Sequence, residues 1–299
     1  MVAKSWYDNF LLWSFRKPAG PKKKGEIIVF KILQLTDLHF GEIHENSKQG
    51  DAATKCLITR LVKEQNPNFI AITGDLIWSL AKKSMVTFKE VLSFINAFDI
   101  PFAVTFGNHD SEADFDREAL NVILLEQPNF IIPKSLFNVA GRLNYYFECQ
   151  DAGVSHRLYF IDSGDYDAHG FDEYDFIQHE QIDWLVENEK GFDGISQLFI
   201  HIPLQEYSNA KQLGLAIGHQ DEEINCPGLN TGLFSRIYLH TKIKAIYCGH
   251  DHDNDFSADY FGIKLNYGRV TGFNTYGKLE RGGRLILIEE ETIKSFIVE

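Results

Sequence analysis

Seven side chains stand out by type and by the residues around them. They are Asp37 and His39 in Asp-Leu-His, Asp75 after Gly74, Asn108 in Gly-Asn-His-Asp, His201 after an apolar run, and His250 and His252 in Gly-His-Asp-His. Taken singly, none points to chemistry. An aspartate after a strand is usually a helix cap or turn residue, Gly-Asp is a common turn dipeptide, and an isolated histidine is more often structural. Taken together they supply two carboxylates, one amide oxygen and four imidazoles. Such a set suffices for two metal ions only if one donor is shared. A carboxylate such as Asp75 can be shared, holding the ions about 3.5 to 4 Å apart as in two-metal hydrolases. Imidazole mixed with carboxylate suits manganese, iron or zinc, and the lack of thiolate ligands argues against a structural zinc site. Two such cations lower the pKa of a bridging water, hold phosphate oxygens and offset charge developing in the transition state.

These residues need a scaffold that brings them to one place. Apolar runs with β-branched enrichment at 27–35, 69–73, 102–106, 158–161, 198–202, 243–248, 264–270 and 285–288 predict strands covered on both faces. Between them, Ala53, Leu57 and Leu61 share a helical face with Ile58 and Val62, and Pro67 follows to stop the helix. Further helical patterns run over 88–98, 117–125 and 176–188. Alternating strands and helices predict an α/β sandwich of layers. Each of the seven candidates follows the C-terminal end of a predicted strand, the edge where loops converge into ligand sites in open α/β sheets.

Composition narrows the partners. The 299 residues, 44% of them hydrophobic, can fill one large α/β core. No repeat or low-complexity tract interrupts the chain, and the Gly-, Pro- and Lys-rich stretch ending at Gly25 sets a lead-in segment, 1–25, apart from one domain over 26–299. With 42 acidic against 29 basic residues the formal charge is −13, which repels a polyphosphate backbone, so no long nucleic acid is expected as partner. The one dense basic run, Arg16, Lys17 and Lys22 to Lys24, lies outside every motif and reads as a solvated segment. Cys56, Cys149, Cys226 and Cys248 include no C-x-x-C pair and are expected to be buried reduced thiols. Phe10 to Trp13 is too short for the core of a signal sequence, and no run reaches transmembrane length. The expectation is therefore a cytoplasmic protein without membrane insertion.

The ordered series D-L-H, G-D, G-N-H-D, a single histidine after a strand, and G-H-D-H resembles the calcineurin-like metallophosphoesterase superfamily from about Ile27 to the last strand. Residues 201–207, 230–234 and 249–256, with Tyr267-Gly268-Arg269 and Thr271-Gly272-Phe273, resemble its purple-acid-phosphatase-like branch. Two positions depart from the purple enzymes: Trp78 stands where they carry a metal-binding tyrosine, and His39 where their first motif has no histidine.

The resemblance implies a layered α/β-β-α sandwich with a mixed central sheet pair flanked by helices. It implies two divalent ions per chain, manganese, iron or zinc. One is held by Asp37, His39, Asp75 and His252, the other by Asp75, Asn108, His201 and His250, without the tyrosinate that gives the purple enzymes their colour. Within it a bridging hydroxide attacks phosphorus and His109 gives a proton to the leaving alkoxide. Asp110 is a candidate to orient that imidazole, or equally to cap a helix. Asn108, His109 and Arg269 are candidate phosphate contacts, and an arginine in a turn is about as ready to pair with a surface carboxylate. The acidic stretch 162–167 resembles a loop of that branch and is a candidate to shape the entrance, with a solvated turn as the default reading. The leading expectation is hydrolysis of a phosphomonoester, on a small molecule or a phosphoprotein. The alternatives are a phosphodiesterase acting on a nucleotide or lipid head group and, from another class, a non-catalytic partner-binding scaffold.

Overall fold

Residues 69–73 and 102–105 are apolar or β-branched almost throughout, and a strand of that kind is stable only when both faces are covered. The computed structural model describes residues 29–112, 115–151 and 153–299. The segment 1–25, with its basic run and Phe10 to Trp13, lies outside the described residues. Strands β1 (Phe30–Leu35), β2 (Phe69–Thr73) and β3 (Phe102–Thr105) run parallel. Strand β11 (Gly283–Glu289) pairs antiparallel with β1, and β12 (Thr292–Val298) pairs antiparallel with β11, giving the order β12-β11-β1-β2-β3.

A second sheet of seven strands is also mixed. It comprises β4 (Ser135–Val139), β5 (Arg142–Asp151), β6 (Val154–Phe160), β7 (Ile195–Phe199), β8 (Ile243–Cys248), β9 (Ser257–Tyr260) and β10 (Ile263–Tyr267), in the order β4-β5-β6-β7-β8-β10-β9. Its central strands β6, β7, β8 and β10 are parallel, and the outer pairings are antiparallel.

Alternation along the central strands distributes side chains between two cores. Phe160, Phe199 and Tyr247 face the first sheet, whereas Tyr159, Leu198 and Ile246 face the opposite way. The inter-sheet core stacks Phe160 on Phe199 at 4.8 Å and Phe199 on Tyr247 at 4.9 Å. Helices α1 (Ser47–Gln65), α2 (Ser84–Asn96) and α3 (Arg117–Leu125) bring Leu57, Ile58, Phe88, Val91 and Leu120 to the core that contains the first sheet. Helices α4 (His179–Glu189), α5 (Gln205–Gln212) and α6 (Leu233–His240) cover the second with Ile182, Leu185, Tyr207 and Ile237. The result is the layered α/β-β-α sandwich that the motifs imply. Polar stitches join the two sheets near the C-terminal strand ends. Gln34 Nε2 donates at 3.0 Å to both Thr73 Oγ1 and Cys248 O, and Thr105 Oγ1 donates to Ile161 O at 2.9 Å.

Strands β4, β5, β9 and β12 and helices α5 and α6 have no counterpart among the elements expected from sequence. β4, β9 and β12 are outer strands; β4 and β12 alternate exposed and half-buried residues and β9 buries only Ala258, so none forms an apolar run. Helix α5 buries only Tyr207 and Ala210, too few to mark a period. The expectation for the cysteines is corrected in part. All four are free, but Cys56 is exposed and Cys226 half-buried, because only Cys149 and Cys248 lie on strands. No described helix is long and apolar enough to cross a membrane.

Candidate metal centre

The loops leaving β1, β2, β3, β7 and β8 carry the seven candidates to the edge where both sheets end. Four of them adopt left-handed backbone conformations, with φ of 54° at Asp37, 47° at His39, 52° at Asp75 and 80° at His250. A non-glycine residue held there costs on the order of 1–3 kcal/mol and persists only where its surroundings over-determine it. Here backbone hydrogen bonds do so: Asp37 N donates to Gly74 O at 3.1 Å, His39 N to Asp75 O at 2.9 Å, and Gly272 N to Asp37 O at 3.0 Å. The motif glycines serve close approach. A Cβ on Gly107 would lie 2.1 Å from Asp75 Oδ1, and one on Gly249 would lie 1.9 Å from Thr36 Oγ1.

Two buried groups result, Asp37 with His39 and His252, and Asp75 with His201 and His250; within each, one ligand atom per residue lies within 4.8 Å of the others. In the first, His39 Nε2 and His252 Nε2 are 3.3 Å apart and His252 Nε2 is 3.5 Å from Asp37 Oδ1. In the second, His201 Nε2 is 3.3 Å from His250 Nδ1 and 3.2 Å from Asn108 Oδ1. A single atom faces both groups: Asp75 Oδ2 lies 3.6 Å from His39 Nε2 and 3.4 Å from His201 Nε2. Outer partners orient two of the rings. His201 Nδ1 bonds Thr73 O at 2.8 Å, and His252 Nδ1 lies 3.2 Å from Tyr276 O, so each Nε2 is turned inward toward the other donors of its group.

Burial alone would raise the Asp37 carboxyl, but the hydrogen bond and charge of His252 bring it down to about 2. Burial likewise opposes a charge on His201, yet the Asp75 carboxylate outweighs it and lifts the imidazole to about 9. His39 falls to about 3, chiefly through burial. His250 falls to about 3 through burial and then the charge of His201. Two buried carboxylates thus hold positive charge among them, and neutral imidazole nitrogens converge on the same space. That is the donor chemistry of a divalent-cation site. The same pull that keeps a proton on His201 would hold a metal ion there.

His109 belongs to neither group. Its ring is 26% exposed, packs on Trp78 with centroids 4.5 Å apart, and places Nδ1 2.9 Å from Glu112 Oε2. Burial would lower its pKa, but Asp75 and then Glu112 outweigh burial and raise it. Trp78, at the position of the purple enzymes' tyrosine, also packs on His39 at 4.2 Å, and its Nε1 donates to Asn274 O at 3.1 Å.

Two expectations are corrected. Asp110 does not face the His109 imidazole; what it caps is its own short helical turn, Asn108–Ser111, by accepting the N–H of Gly107. Its Oδ2 accepts from Asp75 N at 2.9 Å and Gly107 N at 2.8 Å, and its Oδ1 from Leu76 N at 2.8 Å and Ile77 N at 3.2 Å. Adjacent residues on a tight helical turn point apart, whereas residues three apart eclipse, which is why Glu112 and not Asp110 meets His109. Glu112 is not among the residues expected at the site, although its i,i+3 spacing from His109 is a usable signal.

Arg269 is not free to grip phosphate. It is 4% exposed, and its Nη2 and Nε donate to Asp255 Oδ2 at 2.5 and 3.0 Å, while Nη1 donates to Glu299 Oε1 at 2.9 Å. Arg269→Ala is therefore expected to cost about 3–5 kcal/mol in urea unfolding, because it strands the buried Asp255 carboxylate. KM for a phosphate ester should stay unchanged, and a raised KM at unchanged stability would return Arg269 to the substrate.

The family model described as calcineurin-like phosphoesterase matches residues 30–254, and the chain belongs to that family. Within it, the chain is 28% identical over 298 residues to probable inactive purple acid phosphatase 29 of Arabidopsis thaliana, covering 87% of this chain and 77% of that protein. It is 31% identical over 266 residues to the phosphatase DCR2 of Saccharomyces cerevisiae, covering 76% of this chain and 44% of the yeast protein. Among solved structures, a dimetal phosphatase from Danio rerio superposes with a TM-score of 0.61 at 14% identity, covering 91% of this chain and 99% of that one.

Proposed function

We propose that the protein is a dinuclear-metal phosphomonoesterase. The observation that carries this reading is Asp75 Oδ2, one carboxylate oxygen facing both buried donor groups, with the part-exposed His109 ring beside them. Asp37, His39 and His252 would hold one ion, Asn108, His201 and His250 the other, and Asp75 would be shared. Two divalent ions, manganese, iron or zinc, would when bound neutralise phosphate oxygens and acidify a water between them. The chain supplies the rest. His109, its proton held by the nearby carboxylates, protonates the departing ester oxygen, and the Asn108 amide fixes the phosphate beside it. The acidic balance of the chain favours a small phosphomonoester or phosphoprotein over a long polyanion.

A non-catalytic, partner-binding role draws support from the name of the Arabidopsis relative, which calls that protein probably inactive. Against it stand the seven donors and His109, all present here. The test is turnover of p-nitrophenyl phosphate and of its bis ester, on protein stripped of metal and reloaded with manganese, zinc or iron. Metal-dependent turnover that favours the monoester is expected. Preference for the bis ester would make the protein a diesterase, and no turnover with two ions bound per chain would end the catalytic reading.

A further inference from the structure

Glu112 belongs to neither donor group, yet its carboxylate lies where three loops meet. Its Oε2 is 2.9 Å from His109 Nδ1, and its Oε1 accepts from Tyr166 Oη at 2.8 Å. Its backbone N–H donates to Ser79 Oγ at 2.8 Å, and Ser79 N in turn donates to His109 O at 3.2 Å. Tyr166 Oη also accepts from Asn108 Nδ2 at 3.3 Å. Hydrogen bonds thus join Asn108 to Tyr166 and Tyr166 to Glu112, and the series reaches His109 through a 2.9 Å ion-pair contact whose angle falls short of a hydrogen bond, with the tyrosine reaching in from the loop that follows β6. Trp78 packs on the His109 ring with centroids 4.5 Å apart. The Glu112 side chain is 14% exposed, so its contact with the imidazole is little screened by water.

We propose that Glu112 is the positioning carboxylate of His109 and that Tyr166 holds it in place; this rests on the reading of His109 as proton donor. A small turn of the ring from its present 2.9 Å contact lets Glu112 accept the Nδ1–H, which fixes the ring's orientation and directs Nε2–H toward the ester oxygen. When the P–O bond breaks, its electron pair leaves with the oxygen and the Nε2 proton joins it. His109 is left neutral with Nδ1–H still bound to Glu112, which stays ionised throughout. An ion pair serving only the fold would slow every substrate alike. A positioning carboxylate matters in proportion to how much the leaving oxygen needs its proton.

The test uses the metal-loaded full chain and a series of phosphate monoesters running from p-nitrophenyl through phenyl to simple alkyl. Glu112→Gln is expected to keep its metals and lose about 10–100-fold in kcat on alkyl phosphates, the loss usual for a partner that orients a site group. On p-nitrophenyl phosphate, whose leaving oxygen needs little help, the loss should stay within about 3-fold, with KM little changed in both cases. Tyr166→Phe should shift the series in the same direction by less. Because Tyr166 is 39% exposed, this variant carries the test by the same criterion if Glu112→Gln fails to fold. A uniform loss across the series, alongside a steep dependence in His109→Ala, would overturn the role of Glu112 and leave His109 as the acid. A flat series in His109→Ala would overturn the reading of His109 and this proposal with it.

Discussion

Replacing His109 by alanine is expected to leave two metal ions per chain in place and to slow alkyl phosphate hydrolysis by about 10²- to 10⁴-fold, the usual contribution of a general acid. The side chain lies outside both donor groups. What His109 gives Asp75 is a backbone N–H to Oδ1 at 2.9 Å, and alanine keeps that bond. Alanine removes only the ring, which touches Glu112 and Trp78 and meets the His39 ring edge-on with centroids 5.4 Å apart. Metal content by elemental analysis and kcat on one and the same sample decide the matter. If metal and activity disappear together, His109 is a structural side chain of the site and the proton comes from elsewhere.

Asp75→Asn should do the opposite and release both ions together. The amide can still accept the His109 N–H through one oxygen, so the loop need not move. In place of the oxygen that faces His39 and His201, however, it puts an NH₂ group, which has no lone pair to give and carries no charge. The fall in affinity at both sites is expected to exceed the roughly 10–100-fold that loss of an outer partner causes. Asp37→Asn provides the contrast, since its carboxylate faces His252 in one group and should empty that group first. A metal titration of Asp75→Asn showing one site unchanged would mean that the carboxylate belongs to a single ion.

The fold was readable where burial is two-sided. β2 and β3 are buried at every residue and β8 at all but one, so their apolar runs announce them. The outer strands β4 and β12 gave no such run because solvent meets one of their faces. In the site, the seven donors were found because motif residues after strands must converge at one sheet edge. Partnerships between neighbours were harder to read. Asp110 is next to His109 in sequence but turned toward four backbone N–H groups, while Glu112, three residues on, meets the ring. Arg269 looked like a hand for phosphate because nothing in its turn reveals that Asp255, 14 residues earlier, fills its guanidinium.

Each donor group draws on both sheets: Asp37 and His39 leave the first and His252 the second, while Asp75 leaves the first and His201 and His250 the second. The two rings that meet at 3.3 Å, His39 and His252, are 213 residues apart along the chain. Neither half of the molecule holds a complete donor group, so cutting the chain anywhere between Asp75 and His201 leaves neither fragment with one. Both groups come together only when the last third of the polypeptide docks against the first, which makes the assembled donor set a readout of completed folding.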